Sequence, residues 1–201
     1  MKRTAILIAA LAGALLASHA QAQQGGYVGI GYGSVWSNGG SFFDNTINED
    51  TVPGGKIYAG YMTSEYLGLE IGLHNLGKYE VFEVGTGVKL DEFKTTAVSV
   101  AGVLSVPVGG GYYFNGRLGL AFTNAEYDCL QGCGAPLVDA KKRGTSGILG
   151  IGMGARLARG LEVRIEFDHF GSVHHVVGTT AGNIEYKESY DILSANLVLL
   201  F

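Results

Sequence analysis

Eight consecutive residues of this 201-residue chain alternate without a break between apolar and charged side chains. The apolar set is Leu161, Val163, Ile165 and Phe167, and the charged set is Glu162, Arg164, Glu166 and Asp168. Successive residues of a strand point to opposite faces, so the segment predicts a strand with one wholly apolar and one wholly charged face. Such a strand fits a soluble domain, with its apolar side chains in the core and its charges in water. It fits equally a membrane barrel, with its apolar side chains in lipid and its charges in the lumen.

Seven further segments alternate in a similar way, which gives eight predicted strands. They span residues 26–36, 55–62, 66–74, 93–108, 113–127, 145–157, 161–170 and 189–201. Short connections lie near residues 63–65, 109–111 and 158–160, and long ones near 37–54, 75–92, 128–144 and 171–188. We therefore predict an all-β fold, an eight-stranded antiparallel up-and-down transmembrane β-barrel with short periplasmic turns and long extracellular loops.

Aromatic residues occur near both ends of the predicted strands and favour this membrane interpretation. One row lies near the short turns: Tyr27, Tyr61, Tyr66, Tyr112, Tyr113 and Phe201. The other lies near the long loops: Trp36, Tyr79, Phe93, Tyr127, Phe170 and Tyr190. We interpret the two rows as girdles at the two water–lipid interfaces. A soluble, exported barrel of lipocalin type is the rival architecture, because it shares the alternation.

The first 22 residues have the features of a secretory signal peptide. Lys2 and Arg3 precede an apolar run, and Ala20 and Ala22 form an A-x-A cleavage site. We predict one further domain, the barrel, over residues 23–201. Without the leader the chain has 12 basic and 18 acidic residues, a net charge of −6, which argues against nucleic acid as a partner.

Two cysteines, Cys129 and Cys133, lie four residues apart within a predicted loop. In an exported protein such a pair is most simply a disulfide. A zinc site needs more ligands than this pair supplies, and we predict no metal and no cofactor.

The chain resembles the small eight-stranded outer-membrane β-barrels of the opacity-protein family and the transmembrane domain of outer-membrane protein A. The segments that carry the resemblance are residues 26–33, 66–70 and 162–167, together with the terminal Phe201. The resemblance implies a location in the outer membrane of a Gram-negative-type envelope. It also implies that Leu197, Leu199 and Phe201 form the signal read by the β-barrel assembly machinery. Outer-membrane lipids and lipopolysaccharide are then the expected surroundings of a monomer.

Charged residues on the inward parity predict a network in the lumen of a narrow barrel. They are Lys56, Glu70, Arg117, Arg156, Glu162, Arg164, Glu166 and Asp168. The alternative role for this network is a narrow, porin-like ion path. Glycines of the segment Gly150–Gly154 are expected to make room inside the barrel rather than to bind phosphate.

The predicted function is a structural or surface role, non-enzymatic, in envelope integrity or in adhesion through four long loops. Those loops would present Asp44, Glu49 and Asp50 and the basic run Lys141–Arg143, which suits lipopolysaccharide phosphates. A less favoured alternative is a lipid A-modifying enzyme. Its candidate residues, which are His169, Ser172, His174 and His175, depart from the His-x-Ser order of the deacylases.

Overall fold

The computed structural model describes residues 25–38, 51–82, 89–129, 137–138, 140–179 and 182–201. These residues form nine β-strands, of which eight are long and one, β6, has two residues. The strands are β1 Gly25–Ser37, β2 Thr51–Met62, β3 Leu67–Phe82, β4 Lys89–Gly109, β5 Tyr112–Cys129, β6 Leu137–Val138, β7 Ala140–Ala158, β8 Leu161–Thr179 and β9 Gly182–Leu200. Among the described residues, no helix is long and apolar enough to cross a membrane.

The eight long strands close on themselves as an antiparallel barrel. Each pairs with its neighbour in the order β1-β2-β3-β4-β5-β7-β8-β9, and β9 returns to β1. In the closing pair, Tyr27 lies opposite Leu200 and Ser37 lies opposite Tyr190. Closure leaves these strands without a free edge through the body of the barrel, as the sequence predicts for an up-and-down barrel.

The outer face of the barrel is apolar through most of its height. On β3 the outward side chains Leu67, Leu69, Ile71 and Leu73 are each more than half exposed, whereas Glu70 is buried inside. The eight-residue alternation that begins at Leu161 follows the same rule, with its aliphatic side chains outward and its charges inward. The polarity of the sequence therefore resolves into an apolar outer band around a charged lumen, which is the inverse of a soluble barrel.

Three short turns lie at one end of the barrel, where the sequence predicts them. They connect β2 to β3, β4 to β5 and β7 to β8. In the turn between β4 and β5, Gly109, Gly110 and Gly111 all have positive φ, a conformation that residues with a Cβ rarely adopt.

The opposite end differs from the prediction because the strands continue far into the segments expected to be loops. β3 and β4 remain paired as far as Phe82 and Lys89, and β8 and β9 as far as Thr179 and Gly182. Alternation between polar and apolar residues weakens beyond the apolar band, because outward side chains there no longer face lipid and the register shifts after Asn75 and Phe170 change which residues point inward. The alternation of polar and apolar residues along a strand therefore ends before the backbone pairing of that strand with its neighbour ends.

Two β-extensions rise above the apolar band, in contact through side chains such as Lys142 and Glu185 but not paired with each other among the described strands. Pairing between β2 and β3 ends at Asn75, and pairing between β7 and β8 ends at Ile148 and Phe170. Beyond these points β3, β4, β5 and β7 continue as one four-stranded sheet, and β8 and β9 continue as a hairpin. We call these the sheet extension (residues 76–82, 89–95, 124–129 and 140–147) and the hairpin extension (residues 171–179 and 182–189).

The predicted aromatic girdles are only partly correct. Tyr61, Tyr66 and Tyr112 are exposed on the outer face near the short turns, as expected. Seven of the other aromatic residues instead point inward and are buried: Tyr27, Tyr79, Phe93, Tyr113, Tyr127, Phe170 and Tyr190. Position near a strand end does not fix parity. Six of these residues fall on the inward parity of their strands, and Tyr79 turns inward beyond the register shift between Asn75 and Lys78.

Candidate functional site in the barrel lumen

The middle of the lumen is occupied by an ion-pair cluster centred on Arg117 of β5. Its Nη1 lies 2.5 Å from Asp168 Oδ1 and its Nη2 lies 3.1 Å from Glu166 Oε1, both on β8. Its Nε lies 2.8 Å from Glu70 Oε1 on β3, at ion-pair distance but outside hydrogen-bond geometry. One guanidinium thus joins three carboxylates from opposite walls of the barrel.

Lys56 of β2 approaches the same two carboxylates on β8 from another side. Its Nζ donates to Glu166 Oε2 and to Asp168 Oδ2, both at 2.6 Å. The hydroxyl of Tyr27 donates to Glu70 Oε2 at 2.9 Å. Asp168 is therefore bound through both of its oxygens and is wholly inaccessible to solvent. Buried charges of this kind are tolerated only when they are paired and hydrogen-bonded in this way.

A second cluster lies nearer to the short-turn end. Arg164 Nη2 lies 3.1 Å from Glu162 Oε2, and Tyr113 donates to the same oxygen at 2.6 Å. Arg164 Nε also donates to the Tyr113 hydroxyl, and its guanidinium lies 4.8 Å from the ring centre of Tyr27. Aromatic faces therefore provide the remaining packing for a cation that is nearly inaccessible to solvent.

Of the eight predicted lumen charges, seven have buried side chains and Arg156 does not. Arg156 lies close to the turn between β7 and β8, and about half of its side chain is exposed while its Nε donates to Glu162 Oε1 at 3.1 Å. The set holds four cations and four carboxylates, so its formal charges cancel. A set of paired charges with no net charge does not favour anions over cations, or cations over anions.

Inward glycines provide the space that the large lumen side chains occupy. A Cβ at Gly29 would lie 2.3 Å from the Tyr58 ring, and one at Gly60 would lie 2.2 Å from the Tyr27 ring. A Cβ at Gly150 would lie 2.2 Å from Asp168 Oδ1. The expectation that the glycines of the segment Gly150–Gly154 make room inside the barrel is confirmed, since a Cβ at Gly152 or Gly154 would likewise meet a side chain of the neighbouring β5, Asn115 or Tyr113.

Above the ion pairs the lumen is filled mainly by apolar side chains. His74 and Ser99 hydrogen-bond at 2.8 Å, and the His74 ring packs edge-on against Phe170 at 5.0 Å. The surrounding buried cluster continues upward: Val35, Val52, Leu76, Tyr79, Phe93, Ala97, Ala101, Ala121, Tyr127, Ile148, Phe170, Val173, Tyr190 and Ile192. This apolar layer lies directly above the charged one, so two successive layers of buried side chains occupy the lumen.

The hairpin extension contributes a polar cluster that sequence reasoning missed. Tyr190 donates to Glu188 Oε2 at 2.9 Å and lies 2.9 Å from His175 Nε2, and Ser37 donates to the same Glu188 oxygen at 3.1 Å. The His175 ring stacks on Tyr186 at 5.2 Å. The cluster lies above the apolar band, so its ionisable groups are outside the membrane-spanning part of the barrel. Burial lowers the pKa of His175 to about 4 and raises the pKa of Glu188.

Two of the candidate catalytic histidines, His169 and His175, have hydrogen-bond partners other than Ser172. His169 Nδ1 lies 2.7 Å from Asp191 Oδ1 on the outer face, whereas His175 points into the lumen. Within the part of the chain that the structure describes, no hydrogen bond joins Ser172 to a histidine and no group of three acidic, cysteine or histidine residues is arranged to hold a metal ion.

The remaining predicted sites are only partly within the described residues. Leu197 and Leu199 point outward on β9, and the Phe201 amide donates to Gly26 O at 2.9 Å. Cys129 is the last residue of β5, but Cys133 lies outside the described residues, as do Ala20, Ala22, Asp44, Glu49 and Asp50. The disulfide and the cleavage site therefore stay predictions.

Comparison with known proteins finds a matching family model and similar solved structures of outer-membrane barrels. The family model described as the outer membrane protein beta-barrel domain matches residues 5–195. Neisserial surface protein A has a similar structure with a TM-score of 0.62 at 12% identity, covering 88% of this chain and 97% of that one. OprG of Pseudomonas aeruginosa reaches 0.58 at 15% identity, with 88% and 97% covered.

A third similar structure is Ail, the attachment invasion locus protein of Yersinia pestis, in complex with the heparin analogue sucrose octasulfate. Its TM-score is 0.54 at 13% identity, with 88% of this chain and 99% of that one covered. At these identities the likeness concerns the fold. No curated protein matches the sequence.

Proposed function

Since the chain belongs to the outer membrane β-barrel family and resides in the bacterial outer membrane, we propose that it is a non-enzymatic surface protein. In this proposal the sealed barrel anchors the sheet and hairpin extensions outside the cell. Short turns of such barrels face the periplasm and the longer connections face outward. The extensions stand at the end opposite the short turns and therefore face the medium.

The observation that carries the proposal is the filling of the lumen. Every carboxylate of the Arg117-centred cluster has a cation as a partner, and each of its side chains is at least nine-tenths buried. A permeating ion would have to separate pairs in a low-dielectric interior, where the loss of one partner costs about 3–5 kcal/mol. The apolar layer above the cluster adds a second barrier, so the narrow ion path is the weaker candidate.

The geometry also weighs against an enzyme at the outer rim. A nucleophilic serine needs a base within hydrogen-bond reach. His169 is bonded to Asp191 on the outer face, and within the described residues no hydrogen bond joins Ser172 to His174, the candidate histidine nearest to it in sequence. Ser172 itself lies in the irregular segment where the pairing of β8 with β9 shifts register.

The extensions support a binding role because they present paired strands above the apolar band. Their outer faces carry ion pairs such as Lys78 with Glu92 and Lys141 with Glu126, which suit an aqueous setting. Ail, whose structure is similar, is described as an attachment invasion locus protein. An adhesive role for this chain rests on that likeness and on the shape of the extensions.

Shortening the hairpin extension tests the proposal. In the shortened variant residues 173–188 are replaced by Asn-Gly, a two-residue sequence suited to a hairpin turn. Bacteria that lack the native protein are given the full chain or the variant, and their adhesion to epithelial monolayers and their detergent sensitivity are measured. We expect equal membrane levels and detergent resistance but reduced adhesion for the variant. Equal adhesion by both strains would contradict a surface-binding role for this extension.

A further inference from the structure

Tyr32 projects from the outer wall of the barrel. Its side chain is 71% exposed, the largest exposed fraction among the large apolar side chains of the described residues. The residues directly opposite it on the two neighbouring strands are both small, Gly55 on β2 and Ala195 on β9. Neither neighbour shields the ring, so Tyr32 stands above the surface around it.

Tyr32 also lies at an unusual depth for a tyrosine. Six residues of β2 separate Gly55, beside it, from Tyr61, which is exposed near the short turns. Six residues of a strand tilted by 35–45° rise roughly 15 Å, which reaches the middle of an apolar band about 25 Å tall. Tyrosines of membrane barrels are enriched instead at the two water–lipid interfaces. Among the described residues the Tyr32 hydroxyl has no hydrogen-bond partner, and hydrocarbon offers none.

A groove of about 510 Å³ opens on the same wall, on the β2 side of Tyr32. Its lining begins near Gly55 and crosses β3 and β4 to reach β5. Leu73 lies at its centre, opposite Ile57 on β2 and Val98 on β4. These three outward side chains give the groove an apolar floor, on which an aromatic ring can pack.

The same groove contains polar side chains beyond its apolar floor. Asn75 is exposed, and its Oδ1 accepts a hydrogen bond from the Gly77 amide at 3.2 Å, while its Nδ2 has no partner among the described residues. Thr96 lies opposite Asn75 on β4 and lines the groove as well. An apolar floor beside an amide and a hydroxyl matches the two parts of a tyrosine side chain, the ring and the polar tip.

We propose that two copies of the chain associate side by side in the membrane, with Tyr32 of each inserted into the groove of the other. Tyr32 and the groove adjoin on one wall, so a two-fold axis along the membrane normal brings each tyrosine to the partner's groove. Such an isologous contact closes as a dimer. Gly55 and Ala195 allow the two walls to approach closely, as small residues do at interfaces within membranes.

In this dimer the ring packs against Leu73 and the hydroxyl bonds to Asn75 or Thr96. An acyl chain of a lipid would fill the groove but would leave the hydroxyl without a partner, which favours a second copy of the chain. The proposal departs from the monomer that the family resemblance implies. It depends neither on the surface role of the extensions nor on a sealed lumen.

The test is resonance energy transfer between donor- and acceptor-labelled barrels in phosphatidylcholine vesicles over a series of protein-to-lipid ratios. We expect the native barrel to exceed the transfer that random proximity gives, and Tyr32→Ala to weaken association at least about tenfold, as the loss of an aromatic anchor does. Leu118→Ala is the control, because Leu118 is 70% exposed on β5, the strand opposite β1 in the ring of eight. This control should associate as the native barrel does.

A second variant separates the proposed contact from other causes of weak association. Leu73→Trp fills the groove but keeps Tyr32, whereas Tyr32→Ala keeps an open groove. Only the folded, heat-modifiable fraction of each variant is used. Each variant alone should associate weakly, and an equal mixture of the two should recover association, because Tyr32 of one fits the open groove of the other.

Three results would overturn the proposal. The first is energy transfer by the native barrel no greater than random proximity gives. The second is equal association of the native barrel and Tyr32→Ala. The third is a mixture of Tyr32→Ala and Leu73→Trp that associates no better than either variant alone, because the tyrosine and the groove would then not be partners.

Discussion

Arg117 and Asp168 meet across an intervening strand because the residue between them is glycine. In the register of the barrel Arg117 lies opposite Gly150, and Gly150 lies opposite Asp168. The two charged groups come within 2.5 Å of each other over this glycine. The positions of Arg117, Gly150 and Asp168 on three neighbouring strands thus determine the centre of the lumen cluster.

A side chain at Gly150 should disturb this cluster. A Cβ there would lie 2.2 Å from Asp168 Oδ1, an oxygen that Arg117 already holds. We expect Gly150→Ala to lower the free energy of unfolding by about 1–3 kcal/mol, in the range of overpacked cores. Urea unfolding in lipid vesicles measures this. Gly147→Ala on the same strand is the control, because a Cβ there meets no atom within 4 Å. Equal stability of the two variants would contradict the steric account.

Removing the central cation should have a larger effect. Arg117→Met leaves Glu70, Glu166 and Asp168 with two nearby cations, Lys56 at 2.6 Å from Glu166 and Asp168, and Arg164 at 3.9 Å from Glu166. A buried ion-pair network that loses one partner is destabilised by about 3–5 kcal/mol. Arg156→Met is the matched control, since this half-exposed arginine should contribute at most about 1 kcal/mol. The same urea titration distinguishes them, and a similar loss for both would be evidence against a central role for Arg117.

His175 should remain neutral well below neutral pH. Burial disfavours the imidazolium ion and lowers the pKa of His175 to about 4, and the nearby His174 acts in the same direction. The unfolded chain binds this proton near pH 6.5, so the contribution of His175 lowers stability as the pH falls from about 6.5 to 4. A titration of the imidazole nitrogens by nuclear magnetic resonance measures the midpoint. A midpoint at or above 6.5 would show that the ring is not held in its buried, neutral form.

The architecture was predictable because the apolar band imposes a strict period on the strands. Eight strands and the positions of three short turns follow from alternation such as that of Leu161 to Asp168. The same alternation places Lys56, Glu70 and Arg117 inside the barrel.

What the sequence did not predict lies where that period fails. The register shift after Phe170 changes the inward parity of β8, so that His175 enters the interior, and the shift after Asn75 does the same for Tyr79 on β3. Glu188 keeps the inward parity of β9 but lies in a segment that was predicted to be a loop. Tyr190 has the aromatic character of a girdle residue but the parity of a lumen residue. The exposure of Arg156 reflects its place near a turn, which parity alone does not encode.

Phe201 should matter for assembly more than for the finished barrel. Its ring lies over Gly26, where a Cβ would be 2.5 Å from the ring, and its amide bonds to Gly26 O. Deleting it should lower the amount of heat-modifiable barrel in outer membranes while leaving the urea midpoint of the inserted fraction nearly unchanged. Leu157→Ala, an outward change near the same end, serves as the control. Normal membrane levels after the deletion would argue against an assembly role.

The sealed lumen is tested most directly by single-channel recording of the purified native barrel in planar bilayers. We predict no steady conductance, because the charged layer around Arg117 and the apolar layer around Phe170 close the lumen in series. A steady, ion-selective conductance that is lost in Glu70→Gln or Arg117→Met would contradict the account and identify the charge network as an ion path.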